Sequence, residues 1–202
     1  MTKSMCRFIE TIRLKDGLTN NLGYHEERMN LSIQEVLRSN IKFDLGNILS
    51  SQNLPSKGLH KIRLVYDTEI RAMEVTQYKK KEIRQLKIVY HNAISYDYKF
   101  ENRSELENLF SQREDCDDII IIKNYQVTDA SYANLIFRKN DQWFTPKTFL
   151  LNGTTRKQLF ERKIILEEKI TINDLHRYEK VKLINAMLQF DGPEIDVSQI
   201  VK

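Results

Sequence analysis

Cysteine, glycine and proline are scarce in this 202-residue chain, with 2, 6 and 3 copies. Each scarcity closes off a class of function. Cys6 and Cys116 stand alone in a chain with no export signal, so they read as reduced thiols and not as a disulfide framework. The four histidines (His25, His60, His91, His176) are scattered, and neither HExxH nor CxxC is present, so a metal site has little support. Few glycines, no P-loop and no GxSxG elbow argue against a nucleotide cradle of the usual kind and against a serine hydrolase. No run approaches the roughly 20 apolar residues of a membrane span. Met1-Thr2-Lys3-Ser4-Met5 lacks the apolar core of a secretion signal, which makes the cytoplasm the expected compartment. Low-complexity tracts, Pro-rich or Gly-rich linkers and internal repeats are missing, so disorder does not dominate.

What remains is an ordinary globular composition, 41% hydrophobic and 30% charged. The length suits one two-lobed unit or two small domains with a real core. The net charge of +4 is a mild excess of 32 basic over 28 acidic residues. Its densest cluster is Lys79, Lys80 and Lys81, followed by Arg84 and Lys87. This reads as a solvated turn between strands or as a nucleic-acid patch. Without interleaved aromatics or a named motif the turn is preferred, and no nucleic-acid partner is expected.

Residues 6–14 read as a strand closed by Lys15-Asp16-Gly17. From about Gly23 to Ser39 the period turns helical, with Met29, Ile33, Val36 and Leu37 in step. His60, Ile62, Leu64 and Tyr66 then alternate, Ile70 to Tyr78 continue, and Leu86, Ile88 and Tyr90 alternate again. This is the pattern of an antiparallel meander. With the first strand and the helix it predicts a small α+β lobe over 1–94. Residues 95–101 have no clear period and read as a connector. Ser104-Glu105-Leu106-Glu107 reads as a capping box opening a helix to about Arg113. Ile119 to Ile122 reads as a strand buried on both faces. Further strands are expected over Val127 to Phe137 and Gln142 to Phe144. A helix is expected from Gly153 to about Leu166, a short helix over Asp174 to Tyr178, and a strand over Lys180 to Ile184. Residues 102–202 thus form a larger α+β lobe.

Two constellations carry chemistry on their own. Asn152-Gly153-Thr154-Thr155-Arg156 offers backbone N–H groups, hydroxyls and the positive end of a helix dipole, a ready anion site. Taken alone, plain helix capping by threonine is the preferred reading. His25 and Arg28 share a helix face; alone, they read as a solvated helix start.

Taken in order, several runs resemble the class IV aminotransferase family, whose members include branched-chain and D-amino-acid aminotransferases and aminodeoxychorismate lyase. Phe8-Ile9-Glu10-Thr11-Ile12-Arg13, Asp16-Gly17 and His25-Glu26-Glu27-Arg28-Met29 resemble its FET-R, DG and HxxRL run. Asp115 to Ile120 resembles its GxDDALL. Thr128 to Phe137 resembles its TE-x-S-x-x-NIF. Thr145-Pro146 with Leu151 to Arg156 resembles its TP and L-x-GITR, and Leu183 to Met187 resembles the late strand and loop that close the cofactor site. The resemblance spans nearly the whole chain, and 115–156 is its most specific part.

The resemblance implies a two-lobed fold-type IV pyridoxal-phosphate enzyme with a truncated N-terminal lobe, because the chain starts almost at the FET-R strand. It implies pyridoxal 5'-phosphate as cofactor and Lys99 as the lysine that bears it; Lys99 to Arg103 is similar to the lyase branch's K-x-x-NR. By the same likeness Arg28 binds the cofactor phosphate, and Gly153, Thr154 and Thr155 complete that site. Asp129 stands where the family has a glutamate facing the pyridinium nitrogen, and Asn185 and Ala186 lie in a loop near the phosphate. Asp117 and Asp118 match a hallmark read here as structural. Ser104 stands where the aminotransferase branch has a tyrosine. The implied reaction is transamination of an amino acid or pyruvate elimination from aminodeoxychorismate, in a homodimer acting on small molecules. The alternative is a degenerate member serving as a non-catalytic binding or regulatory protein.

Overall fold

The computed structural model describes residues 6–202; the Met1 to Met5 segment read above for export lies outside them. The chain groups into two compact units. One runs up to Lys79 and takes in Tyr98–Asn102, and the other holds Lys80–Asp97 and Arg103–Lys202. The α+β class expected from the sequence is what forms.

The first unit contains β1 (Phe8–Lys15), β2 (Leu18–Thr19), α1 (Leu22–Val36), α2 (Leu45–Ser50), β3 (Leu59–Tyr66) and β4 (Ile70–Gln77). Its strands form one antiparallel sheet in the order β2-β1-β3-β4. Period-two alternation on β1 puts Phe8, Ile12 and Leu14 on one fully buried face. Met29 and Ile33 of α1 close over that face with Ile62, Leu64 and Tyr66 of β3. The β1–β2 turn needs positive φ at Asp16 and Gly17, 49° and 80°, which glycine adopts without a steric penalty. The Tyr98–Asn102 segment lies along the start of β1. Ile9 N–H donates to the Lys99 carbonyl at 2.9 Å, Glu101 N–H donates to the Arg7 carbonyl at 2.9 Å, and the Phe8 and Phe100 rings stack with centroids 5.4 Å apart.

The second unit contains β5 (Leu86–Tyr90), α3 (Ser104–Phe110), β6 (Asp118–Lys123), β7 (Gln126–Val127), β8 (Asn134–Lys139), β9 (Gln142–Pro146), α4 (Thr154–Glu161), β10 (Ile165–Glu168), β11 (Lys180–Ile184), β12 (Glu194–Asp196) and β13 (Ile200–Val201). One sheet runs β13-β5-β6-β7 and another β10-β9-β8-β11-β12. Ile119 to Ile122 are all fully buried on β6. Four such side chains supply about 1.5–3 kcal/mol each, which anchors the sheet.

Four local expectations change. The strand expected over Val127 to Phe137 breaks into β7 and β8, with residues 128–133 outside both. Leu86 to Tyr90 does not continue the meander: β5 pairs in parallel with β6, and alternation alone cannot say which strand a strand will meet. The helix opened by Gly153 stops at Glu161, where Lys163 takes φ 57° and Ile165 to Glu168 pair with β9 in parallel. The isoleucines at 164 and 165 suit a strand better than a helix. Ser104 is not the cap of α3; Arg103 holds that position with no side-chain cap bond. A capping box does form at Thr171 and Asp174, which opens the 3-10 turn over Ile172–Arg177.

Candidate functional site

In the first unit the chemistry gathers around a carboxylate where the pattern of β1 calls for an apolar residue. Glu10 lies between Phe8 and Ile12 on the buried face and is itself fully buried. Arg28 of α1 meets it with two parallel bonds, Nε to Oε1 at 2.8 Å and Nη2 to Oε2 at 2.6 Å. His25, one turn earlier, brings Nδ1 to Oε2 at 2.7 Å. Burial disfavours the charged carboxylate, but the Arg28 guanidinium and the His25 ring outweigh it and hold Glu10 far below the usual carboxylate range. The same burial, with the charges of Arg28 and Lys99, pushes His25 down against the pull of Glu10. The imidazole is therefore neutral near pH 7. Since a carboxylate only accepts, its proton sits on Nδ1. The solvated helix start read from His25 and Arg28 alone is thus a buried ion-pair cluster. The sequence signal for it was a glutamate breaking an apolar strand face, with an arginine in reach on the next helix.

Lys99 is half-buried in the segment held along β1. It belongs to the same unit as Arg28, and its charge is felt at His25.

In the second unit Asp129 is the centre. Its carboxylate is buried, with Oδ2 accepting from the Leu150 and Leu151 N–H groups at 2.9 and 3.0 Å and Oδ1 from Asn134 Nδ2 at 2.8 Å. Burial pushes its pKa up to about 6 even against those three donors. Asn134 also donates to the Leu151 carbonyl at 2.8 Å. Asp129 and Asn134 together fix the loop that leads into α4. Gly153 is the N-cap there. A Cβ on it would lie 2.1 Å from Asn134 Oδ1, so a larger residue would have to displace Asn134. Thr154 and Thr155 are the first two helical residues and are buried. The helical ladder starts with Lys157 N–H to the Gly153 carbonyl, so the amides of 154–156 precede it, at the positive end of the dipole.

Behind this turn the buried Arg156 bonds to Glu167 at 2.6 Å, Thr145 at 3.2 Å, Asn152 at 3.2 Å and the Pro146 carbonyl at 3.1 Å. Asn185 Oδ1 accepts from Met187 and Leu188 N–H, both at 2.9 Å, which closes a tight turn after β11. Gln189 then links the Ala186 carbonyl to Thr155 Oγ1, the latter at 3.5 Å. Asp129, Gly153, Thr154, Thr155, Asn185 and Ala186 thus fall into one bonded neighbourhood. Asn134 and Gln189, which join them, were not singled out from the sequence. Asp117 accepts from Arg84 and Gln85 N–H, and Asp118 from Ile119 N–H, as bracing groups would.

Among the described residues no three His, Cys, Asp or Glu side chains gather as a metal would need, and no helix is long and apolar enough to cross a membrane.

A relative from Haemophilus influenzae with no assigned function is 35% identical over 185 residues, 91% of this chain and 98% of that protein. A solved structure from Haemophilus somnus, described as a candidate 4-amino-4-deoxychorismate lyase, is 36% identical with a TM-score of 0.85, covering 93% of this chain and 98% of that one. A Mycobacterium tuberculosis structure, described as a hypothetical aminotransferase in PLP-bound form, shares the fold at 15% identity and a TM-score of 0.73, covering 94% of this chain and 80% of that one. The family profile for amino-transferase class IV matches residues 7–190. With nine-tenths of its length matched, the chain belongs to the class IV aminotransferase family.

Proposed function

We propose that this protein is a pyridoxal-phosphate-dependent lyase that releases pyruvate from 4-amino-4-deoxychorismate. The observation that carries the reading is the donor set around Asp129. A carboxylate has about four lone-pair directions, and the protein's own donors use three of them here. One direction on Oδ1 remains for a protonated ring nitrogen. Burial holds the Asp129 carboxyl up at about 6 even with three donors and the Arg156 charge acting on it, so a protonated ring nitrogen on that open direction would stabilise its charged form. The likeness to the family assigns Lys99 of the first unit to the cofactor's aldehyde, and to the cofactor's phosphate it assigns Arg28 of the first unit and the Gly153, Thr154 and Thr155 helix start of the second. Asn185 and Ala186 support the helix start through Gln189.

When bound, the cofactor accepts the electron pair released at the amine-bearing carbon of the substrate. The remaining work falls to the chain. Lys99 Nζ would hold the cofactor's aldehyde and, when free of it, would take the proton from that carbon. Asp129 keeps the ring nitrogen protonated. The ring carbon–oxygen bond to the enol side chain would break as the ring becomes aromatic, and the proton taken by Lys99 would balance the one that the departing enol carbon gains, so the products balance as aminobenzoate plus pyruvate. The lyase branch is preferred over transamination because the 36%-identical structure carries that description, as does a Schizosaccharomyces pombe protein 38% identical over 74 residues, and because the Lys99 to Arg103 run resembles that branch's K-x-x-NR.

The test has two parts. Borohydride reduction with pyridoxal phosphate, followed by peptide mapping, is expected to label Lys99; label elsewhere overturns the site. Incubation of the holoenzyme with aminodeoxychorismate is expected to release pyruvate with no amino acceptor present. Keto acid formed only from an amino donor and acceptor would assign it to the transferase branch.

A further inference from the structure

We propose that Glu10 is a positioning residue of the phosphate end, setting both the plane of the Arg28 guanidinium and the tautomer of His25. This rests on the reading of Arg28 as the phosphate anchor. Four features of the first unit support it.

Glu10 occupies a slot that packing would give to an apolar side chain, since Phe8, Ile12 and Leu14 share its face and are fully buried. Replacing a buried ion pair by apolar groups of similar volume is often neutral or stabilising. A carboxylate held there is poorly explained by stability alone. Next, its two bonds to Arg28 engage the Nε–Nη2 edge as a fork, which fixes the guanidinium plane and presents the Nη1 edge in one orientation. A single bond would leave the plane free to turn.

Third, the bond at 2.7 Å to His25 Nδ1 fixes that ring as the Nδ1–H form with Nε2 as acceptor. Finally, Ile9, the neighbour of Glu10 on β1, holds the Lys99 carbonyl through its N–H at 2.9 Å. Two adjacent residues of one strand therefore set the arginine and the lysine, one through a side chain and one through the backbone.

A merely structural ion pair would predict that losing Glu10 weakens everything alike. A positioning role predicts a selective loss. Binding of pyridoxal phosphate and of pyridoxal, which lacks the phosphate, is read from the absorbance of the bound aldehyde in wild type, E10A, R28A and the double variant. E10A is expected to cut the preference for the phosphorylated form about tenfold, the scale of one lost charged, oriented bond, while pyridoxal affinity stays within about twofold. In the R28A background E10A is expected to change the preference no further. An unchanged preference in E10A, or an equal loss with and without Arg28, overturns the proposal.

E10Q keeps one acceptor and the shape, and serves if E10A does not fold. Its preference is expected to fall about threefold, and no fall overturns the proposal. A readout free of cofactor is the nitrogen NMR of His25. Wild type is expected to show the Nδ1–H form and E10Q a shift toward Nε2–H; an unmoved tautomer refutes the His25 part. If wild type binds pyridoxal phosphate no better than K99A does, the proposed function fails instead, and the tautomer result still decides the role of Glu10 at His25.

Discussion

Burial of the Asp129 carboxylate moves its pKa from the ordinary aspartate value of about 3.9 to about 6. Keeping it ionised at pH 7 therefore costs the fold about 3 kcal/mol. Substituting Asp129→Asn removes that cost but turns an amide toward the Asn134 amide that now donates to Oδ1. The resulting unsatisfied donor costs about 1–3 kcal/mol. The two effects nearly cancel, so D129N is expected to unfold in denaturant within about 1 kcal/mol of wild type at pH 7. Under the proposed reading its pyruvate release falls on the order of 100-fold, as when one preorganised charge is lost from an active site. Full activity in a stable D129N protein would remove Asp129 from the chemistry and leave it a brace for residues 150–151. At this scale the sequence was informative about identity but silent about partners. Asp129 was legible as a carboxylate in a motif, whereas the three donors that bury it come from Asn134, Leu150 and Leu151, whose arrival depends on how the chain folds back.

Helix α4 depends on how it begins. Gly153 has φ −66° and ψ 143°, an ordinary extended pair, so it is required for space and not for backbone freedom. A Cβ there meets Asn134 Oδ1 at 2.1 Å and Cγ at 3.3 Å. Asn134 cannot simply swing away, because it is tied to Asp129 and to the Leu151 carbonyl. Gly153→Ala is expected to lower stability by about 1–3 kcal/mol, the range for an overpacked site, and to weaken cofactor binding because the helix start shifts. Combining it with Asn134→Ala removes the clash, so the double variant should be less destabilised than the sum of the singles. Additive losses in thermal melts would show that the two residues do not meet. The elements themselves were mostly readable: the Ile119–Ile122 strand, α1 and β11 follow from pattern. What pattern could not give was partnership. Leu86 to Tyr90 has the alternation of a meander strand, yet it pairs in parallel with β6. Likewise Ile164 to Leu166 looks like the end of a helix until β9 offers it an edge. Glu10 was visible in the sequence as a break in an apolar strand face, but its burial was not, because that depends on Arg28 and His25 coming beside it.

The two units are expected to respond to acid in opposite senses. In the first, the folded pKa values of His25, Glu10 and Asp67 are lowered. Between the unfolded value of about 6.5 for histidine and the lower folded one, the unfolded chain binds the extra proton, so stability falls as pH falls. Glu10 and Asp67 add to the loss below about 4.3, where the unfolded carboxylates begin to protonate first. In the second unit Asp118 and Asp129 are raised by burial. From about 6 down to about 3.9 the folded form binds the extra proton, and stability rises as pH falls. Each uncompensated proton is worth about 1.4 kcal/mol per pH unit. Only at lower pH does Asp174, held at about 2 by its bonds from Thr171 and Arg177, begin to count against the second unit. Hydrogen exchange of the cofactor-free protein, corrected for intrinsic rates, separates the two. Between pH 6.5 and 4.5 the protection of α1 and β1 is expected to fall while that of β6 and β8 holds or grows. D129N should remove most of the gain in the second unit and leave the first unit's loss untouched. If protection in both units fell in parallel, the buried carboxylates at 118 and 129 would not be titrating in the folded state as their burial requires.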